Sequence, residues 1–244
     1  MTVFRNAVLL AAVAGLLAGI VMTGLQLAFT VPLILKAETF ENAMPAEEPA
    51  ASDEVATAEH EHEHDEDAWA PADGAERTFF TAAANIVTGI GFALVLVCVS
   101  GFAGNITGWR AGLLWGFAGF AVFTLAPGLG LPPELPAMPA AELLPRQIWW
   151  VGTVIATGAG LALIVFRRNL FLALLGIALI VAPHAIGAPQ PPSHETPVPE
   201  DLHHSFVVAV TMTNLVFWLA LGIAVGMLRP YFAKEHSVPQ QSLA

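Results

Sequence analysis

The chain has 244 residues, 56% of them hydrophobic and only 12% charged, about half the charged share of an ordinary soluble domain, which argues against a soluble fold. The formal net charge is −11, yet 14 of the 20 acids fall between Lys36 and Thr78, so the acidity belongs to one segment and nucleic acid is excluded as a partner. A single cysteine, Cys98, rules out an intrachain disulfide or a thiolate metal cluster.

Mean hydropathy is +0.67, and six apolar blocks follow one another along the chain: Ala7–Leu35, Phe79–Ala103, Ala111–Leu131, Ile148–Phe166, Leu170–Gly187 and Phe206–Leu228. Their lengths are 29, 25, 21, 19, 18 and 23 residues, against the roughly 20 that a helix needs to cross a ~30 Å hydrocarbon core. The expected fold is therefore all-α, a polytopic transmembrane bundle of six spans, with five as the alternative count because the fifth block is short. The first block is too long for the apolar part of a secretory signal and reads as a retained span. Only Arg167, Arg168 and Asn169 separate the fourth and fifth blocks, so these form a tight hairpin.

Basic residues in the connections set the orientation. With the N-terminus inside, six bases (Arg5, Arg110, Arg167, Arg168, Arg229, Lys234) fall in short inner segments and three (Lys36, Arg77, Arg146) in long outer ones. Both termini are thus expected in the cytoplasm. The resulting organisation is a first span at 1–35, an acidic outer loop at 36–78, a hairpin of two spans at 79–131, an outer loop at 132–147, and a second hairpin at 148–187. A Pro- and His-bearing outer loop at 188–205, a last span at 206–228 and a cytoplasmic tail at 229–244 complete it.

Small residues at four-residue spacing, Gly15 and Gly19, Gly108, Gly112 and Gly116, and Gly222 and Gly226, are expected to bring helices close together. Thr23, Gln26, Asn85, Thr213 and Asn214 read as interhelical hydrogen-bonding groups, with Asn214 also a candidate in an ion pathway. Trp109, Trp115, Trp149, Trp150 and Trp218 read mostly as interface anchors, and Cys98 as a small buried apolar residue.

The sharpest chemical feature is Glu59-His60-Glu61-His62-Glu63-His64-Asp65-Glu66-Asp67. Alternation puts His60, His62 and His64 on one side of an extended chain, or His60 and His64 on one side of a helical turn. Neutral imidazoles beside carboxylates suit divalent Co, Ni, Cu or Zn, and the surrounding Ala, Glu and Pro composition predicts a flexible segment without a core of its own. The competing reading is a solvated acidic linker. A second group comprises His184, which follows Pro183, and Asp201, His203 and His204 before the last span. Ionisable groups at membrane depth tend to line pathways, although His184 at headgroup level bonded to a neighbour is the simpler alternative. Glu38 and Glu41, just beyond the first span, are further pathway candidates or plain interfacial charges.

Four stretches, Leu33-Ile-Leu-Lys-Ala-Glu-Thr-Phe-Glu41, Leu125-Ala-Pro-Gly-Leu-Gly-Leu-Pro-Pro-Glu134, Arg146-Gln-Ile-Trp-Trp150 and Ala182-Pro-His-Ala-Ile-Gly-Ala-Pro189, together resemble the CbtA family of proposed cobalt transporter subunits along nearly the whole chain. The resemblance implies a multi-pass inner-membrane protein, not an enzyme, that works with a small one-span, His-containing CbtB-type subunit to supply cobalt for cobalamin synthesis. It also implies five spans, one fewer than the apolar blocks suggest.

The expected function is divalent metal uptake, most specifically of Co(II), with Ni(II) or Zn(II) not separable by ligand type, no tightly bound cofactor, and lipid, metal and a partner subunit as the interacting species. Homo-oligomerisation stays open. Two rivals belong to other classes: a non-transporting scaffold or metal sensor that only presents the His-bearing loop, and a haem-binding electron carrier using two axial histidines. A purified protein without a Soret band excludes the last.

Overall fold

The structure is a computed structural model that describes residues 2–43, 71–167 and 169–233. The described residues form six long helices and no strand: α1 (Val3–Glu41), α2 (Ala75–Phe102), α3 (Gly108–Gly130), α4 (Leu143–Phe166), α5 (Leu170–Ile186) and α6 (Glu200–Ala233). Five are long and apolar enough to cross a membrane, and α5 has 17 residues, about 25 Å at 1.5 Å per residue.

Several helices outrun the apolar blocks that announce them. α1 reaches Glu41 and α6 begins at Glu200 because their added turns bury an apolar face: Ala37, Leu202 and Phe206 join Leu135 and Val198 in a small core of their own. The segments after α3 and before α6 are thereby folded into a cap on one end of the bundle. Thr196 ties them together by donating to the Ala137 carbonyl at 3.0 Å.

Two helices widen into a π turn, at Gln26–Thr30 in α1 and Ala121–Leu125 in α3. The cause is the proline that follows each one, Pro32 and Pro127. A proline ring collides with the carbonyl four residues back and offers no N–H, and the positions four back, Ala28 and Phe123, lie inside the widened turns. The relief is visible in the backbone: Val31 N–H donates to Gln26 O, and Ala126 N–H to Ala121 O, each spanning five residues.

The helices pair through glycines. A methyl on Gly15 would lie less than 3.0 Å from the backbone of Gly89 and Ile90, one on Gly112 less than 3.0 Å from Gly222 O, and one on Gly160 at 2.5 Å from Gly176 O. α1 thus lies on α2, α3 on α6, and α4 on α5, each at a separation that a side chain would forbid. The glycines of α1, α3 and α6 expected to bring helices close do so, and Gly160 with Gly176 forms a further close approach.

The main core joins the first two of these pairs, gathering Leu10, Ala14 and Ala18 of α1 with Phe217, Leu221 and Val225 of α6. Trp218 is at its centre, 2% exposed, stacked on Phe123 with centroids 5.5 Å apart and donating from Nε1 to Thr124 Oγ1 at 3.2 Å. It is a core residue and not the interface anchor expected from its type, because Gly119 leaves room for its ring on α3. Cys98 also departs from expectation: it is exposed, on the face of α2 that carries the exposed Val95, Val99 and Phe102, a face apolar for lipid and not for the core.

The α4–α5 hairpin docks against the second half of α3, with Trp150 and Phe123 centroids 6.4 Å apart and Trp149 lying over Gly130. Asn169 opens α5 by accepting from Phe171 N and Leu172 N at 2.9 and 3.3 Å, the usual N-cap arrangement. Gly187 ends it at φ 90°, a conformation that favours glycine. Although short, α5 runs back along α4 until its Pro183 carbonyl receives Trp149 Nε1–H at 3.2 Å.

Asn6 Nδ2 donates to Phe232 O at 2.7 Å, so the start of α1 lies beside the end of α6 at one end of the bundle. A reporter fused after Ala244 is expected to be active in the cytoplasm and one inserted near Ser52 outside; a C-terminal reporter found outside would contradict the Asn6–Phe232 pairing and leave α5 on one side of the bilayer.

Candidate functional site

Six of the sequence-nominated residues, Glu38, Glu41, His184, Asp201, His203 and His204, come to the end of the bundle opposite that pairing, together with Ala43 and Pro71, which flank the acidic stretch. His60, His62 and His64 lie outside the described residues.

Glu38 is on the last turns of α1, one helix face away from the first turn of α2. Its Oε1 lies 2.5 Å from Arg77 Nη2 and its Oε2 3.3 Å from Arg77 Nη1, a two-pronged pairing that fits the planar guanidinium. Asp73 adds a second carboxylate, 3.0 Å from Arg77 Nη1. Glu38 is therefore the partner of a cation already in the protein. Glu41, one turn further on, is exposed. Glu134 pairs with Arg146 at 3.1 Å, pinning the segment after α3 to the start of α4. Neither the Glu38–Arg77 nor the Glu134–Arg146 pairing is visible in the sequence, where a partner shows only when it is close, as Asp73 is to Arg77.

The histidines have separate settings. His184 is half-buried near the end of α5, its ring edge-on to Trp149 with centroids 5.8 Å apart at 74°. His203 places Nε2 3.2 Å from Pro133 O, which fixes the segment after α3 to the start of α6. His204 lies on a groove of ≈560 Å³ between α1 and α6 whose walls include Leu25, Phe29, Val208 and Met212. Asp201 is exposed, and its backbone carbonyl accepts from Ser205 Oγ at 2.7 Å. Asn214 donates to Val210 O of its own helix at 2.9 Å, so its amide is engaged within α6. Among the described residues no three His, Cys, Asp or Glu side chains converge to hold a metal ion. The region is a set of separate donors at one end of the bundle, not a preformed coordination shell.

Deeper along the α1–α2 seam, Asn85 Nδ2 donates to Gln26 Oε1 at 2.7 Å and to Thr23 Oγ1 at 3.1 Å. This interhelical knot sits beside the π turn of α1 and matches the hydrogen-bonding role expected of these residues.

A helical bundle with five membrane-length apolar helices, three glycine-mediated helix pairs and its nominated donors at one end has the build of an integral membrane protein. Residues 4–229 match the CbtA family, described as a probable cobalt transporter subunit, and the chain belongs to that family. No curated protein and no solved structure matches it. Membership carries the family's description of a transporter subunit to this chain, and a subunit implies a partner chain.

Proposed function

We propose that the protein is the multi-pass subunit of a cobalt uptake system in the inner membrane, receiving Co(II) at the outer face and supplying it for cobalamin synthesis. The observation that carries this reading is the gathering of Glu41, Asp201, His184, His203 and His204 at the end of the bundle where the acidic, His-bearing stretch begins and ends, opposite the basic end. A negative outer mouth raises the local cation concentration and favours entry from a dilute exterior. His60, His62 and His64 capture the ion, and the scattered donors pass it on. Separate single donors suit weak, successive binding, which an uptake path needs in order to release its cargo. Glu38 reaches a cation only by exchanging Arg77 for it.

Co(II), with nitrogen and oxygen ligands, fits this donor set, and Ni(II) and Zn(II) fit it chemically as well. The partner is a small one-span CbtB-type subunit with histidines of its own. Counterflow of radioactive cobalt in proteoliposomes, with and without that subunit, tests the proposal: exchange that requires the protein supports it, and none in the reconstituted pair refutes it. The absence of a three-donor cluster among the described residues favours one rival, a membrane scaffold or metal sensor, and that rival predicts cobalt binding without counterflow.

Metal capture by the His-bearing stretch is pH dependent on this reading. A solvated imidazole has a pKa near 6.5, and protons compete with metal for the same nitrogens, so cobalt binding by the full-length protein should weaken from pH 7.5 to pH 5, in calorimetric titrations. Replacement of His60, His62 and His64 with Ala should remove most of that pH dependence.

A further inference from the structure

At the end of the bundle that carries the termini, away from every residue discussed as a metal donor, a crevice of ≈330 Å³ opens between α1, α2 and α6. Its wall is apolar, built from Val3, Ala7, Leu10, Val97 and Phe232, with Arg229 and Asn105 at one side. The third polar neighbour, Asn6, has its amide committed to Phe232 O at 2.7 Å.

Arg229 is held in place by neutral groups. Its Nη1 donates to Ser100 Oγ at 3.2 Å, and its Nη2 to Asn105 Oδ1. Ser100 is fully buried and Asn105 sits at φ 71° in the α2–α3 turn, so the guanidinium is aimed by a fixed frame. Two of its five N–H donors are used in this way, leaving donors for another partner. Among the described residues Arg229 pairs with no carboxylate, whereas Arg77 and Arg146 at the opposite end each have one within 3.1 Å.

A half-buried charge beside an apolar wall is costly unless a counter-charge arrives. We propose that this crevice is a binding site for one anionic phospholipid of the cytoplasmic leaflet, its phosphate on Arg229 and an acyl chain along Val3, Ala7, Leu10 and Val97. The apolar wall selects a lipid over a free anion, and the basic residues of the inner segments place this end where anionic headgroups lie. The site is independent of the metal path.

The full-length protein in detergent, titrated with phosphatidylglycerol, phosphatidylcholine or inorganic phosphate and read by native mass spectrometry, tests the assignment. Phosphatidylglycerol should be retained in preference to phosphatidylcholine, and Arg229→Gln should weaken it about tenfold, the scale of a lost charge-assisted contact. Ala7→Phe, which fills the crevice and leaves the bonds of Arg229 in place, should also abolish retention, so the result does not depend on whether Arg229→Gln folds. Arg110, an exposed base at the same end, supplies the control: Arg110→Gln should retain lipid like the wild type. Equal retention of both lipids, equal loss in the Arg110 and Arg229 variants, or competition by inorganic phosphate as strong as by phosphatidylglycerol would overturn the lipid site.

Discussion

Gly112→Leu should destabilise the bundle by forcing α3 and α6 apart. Any Cβ at this position would come within 3.0 Å of Gly222 O and of the neighbouring backbone of α6. Backbone cannot rotate aside as a long side chain can, so the helices must separate. Separation would undo more than one contact, because Gly226 approaches Gly108 O and Gly116 approaches Trp218 O on the same seam. Overpacking of this kind costs roughly 3 kcal/mol or more, a fall in Tm on the order of 10 °C for a chain of this size. Thermal melts in detergent and the monodisperse fraction on size exclusion would measure it. Gly152→Ala is the matched control: nothing lies within 4 Å of its Cβ position, and replacing Gly by Ala inside a helix is favourable by about 1 kcal/mol. A Gly112→Leu protein as stable as the Gly152→Ala one would mean that α3 and α6 do not pair through this seam.

The contrast between those two glycines marks where the sequence is legible. Six apolar blocks locate six helices, because hydrocarbon demands continuous hydrophobicity and satisfies the backbone only within a helix. Repeated glycines at four-residue spacing mark one helix face, as Gly108, Gly112 and Gly116 do, but they name no partner; Gly222 and Gly226 could have met any other stripe. The cap at one end of the bundle is less legible. Ala37, Leu135, Val198, Leu202 and Phe206 come from three distant segments, none apolar enough alone to signal burial. The environments of Trp218 and Cys98 likewise depend on which way their helix faces turn, and in a membrane protein both lipid-facing and core-facing residues are apolar.

The histidines show the same limit for the site. Position near a span end gives the depth of His184, His203 and His204, while each residue step turns the side chain by about 100° around the helix. His203 and His204, adjacent in sequence, consequently face the Pro133 carbonyl and the α1–α6 groove respectively. Glu38 illustrates another gap, because its Arg77 partner is 39 residues away, across the acidic stretch.

The second large effect separates ion capture from ion passage by kinetics. A segment that only enriches cobalt at the mouth contributes supply and no step of translocation, so its loss should be overcome by raising the concentration. Replacing His60, His62 and His64 together with Ala should raise the cobalt concentration for half-maximal uptake several-fold and leave the maximal rate nearly intact. His184, if it lines the path, behaves oppositely. An ion that has shed water at membrane depth cannot cheaply replace a lost ligand, so His184→Ala should lower the maximal rate at saturating cobalt, by an amount on the order of tenfold for about 1.4 kcal/mol of lost stabilisation. The Trp149 contact provides an internal check. His184→Phe retains an aromatic ring against Trp149 but no nitrogen, and it should be as slow as His184→Ala if the imidazole binds metal, yet active if His184 serves only to pack. Uptake against cobalt concentration, in cells lacking other importers and at matched protein levels, distinguishes these outcomes. Wild-type curves for both the triple variant and His184→Ala would remove the metal path from these residues and favour the scaffold reading.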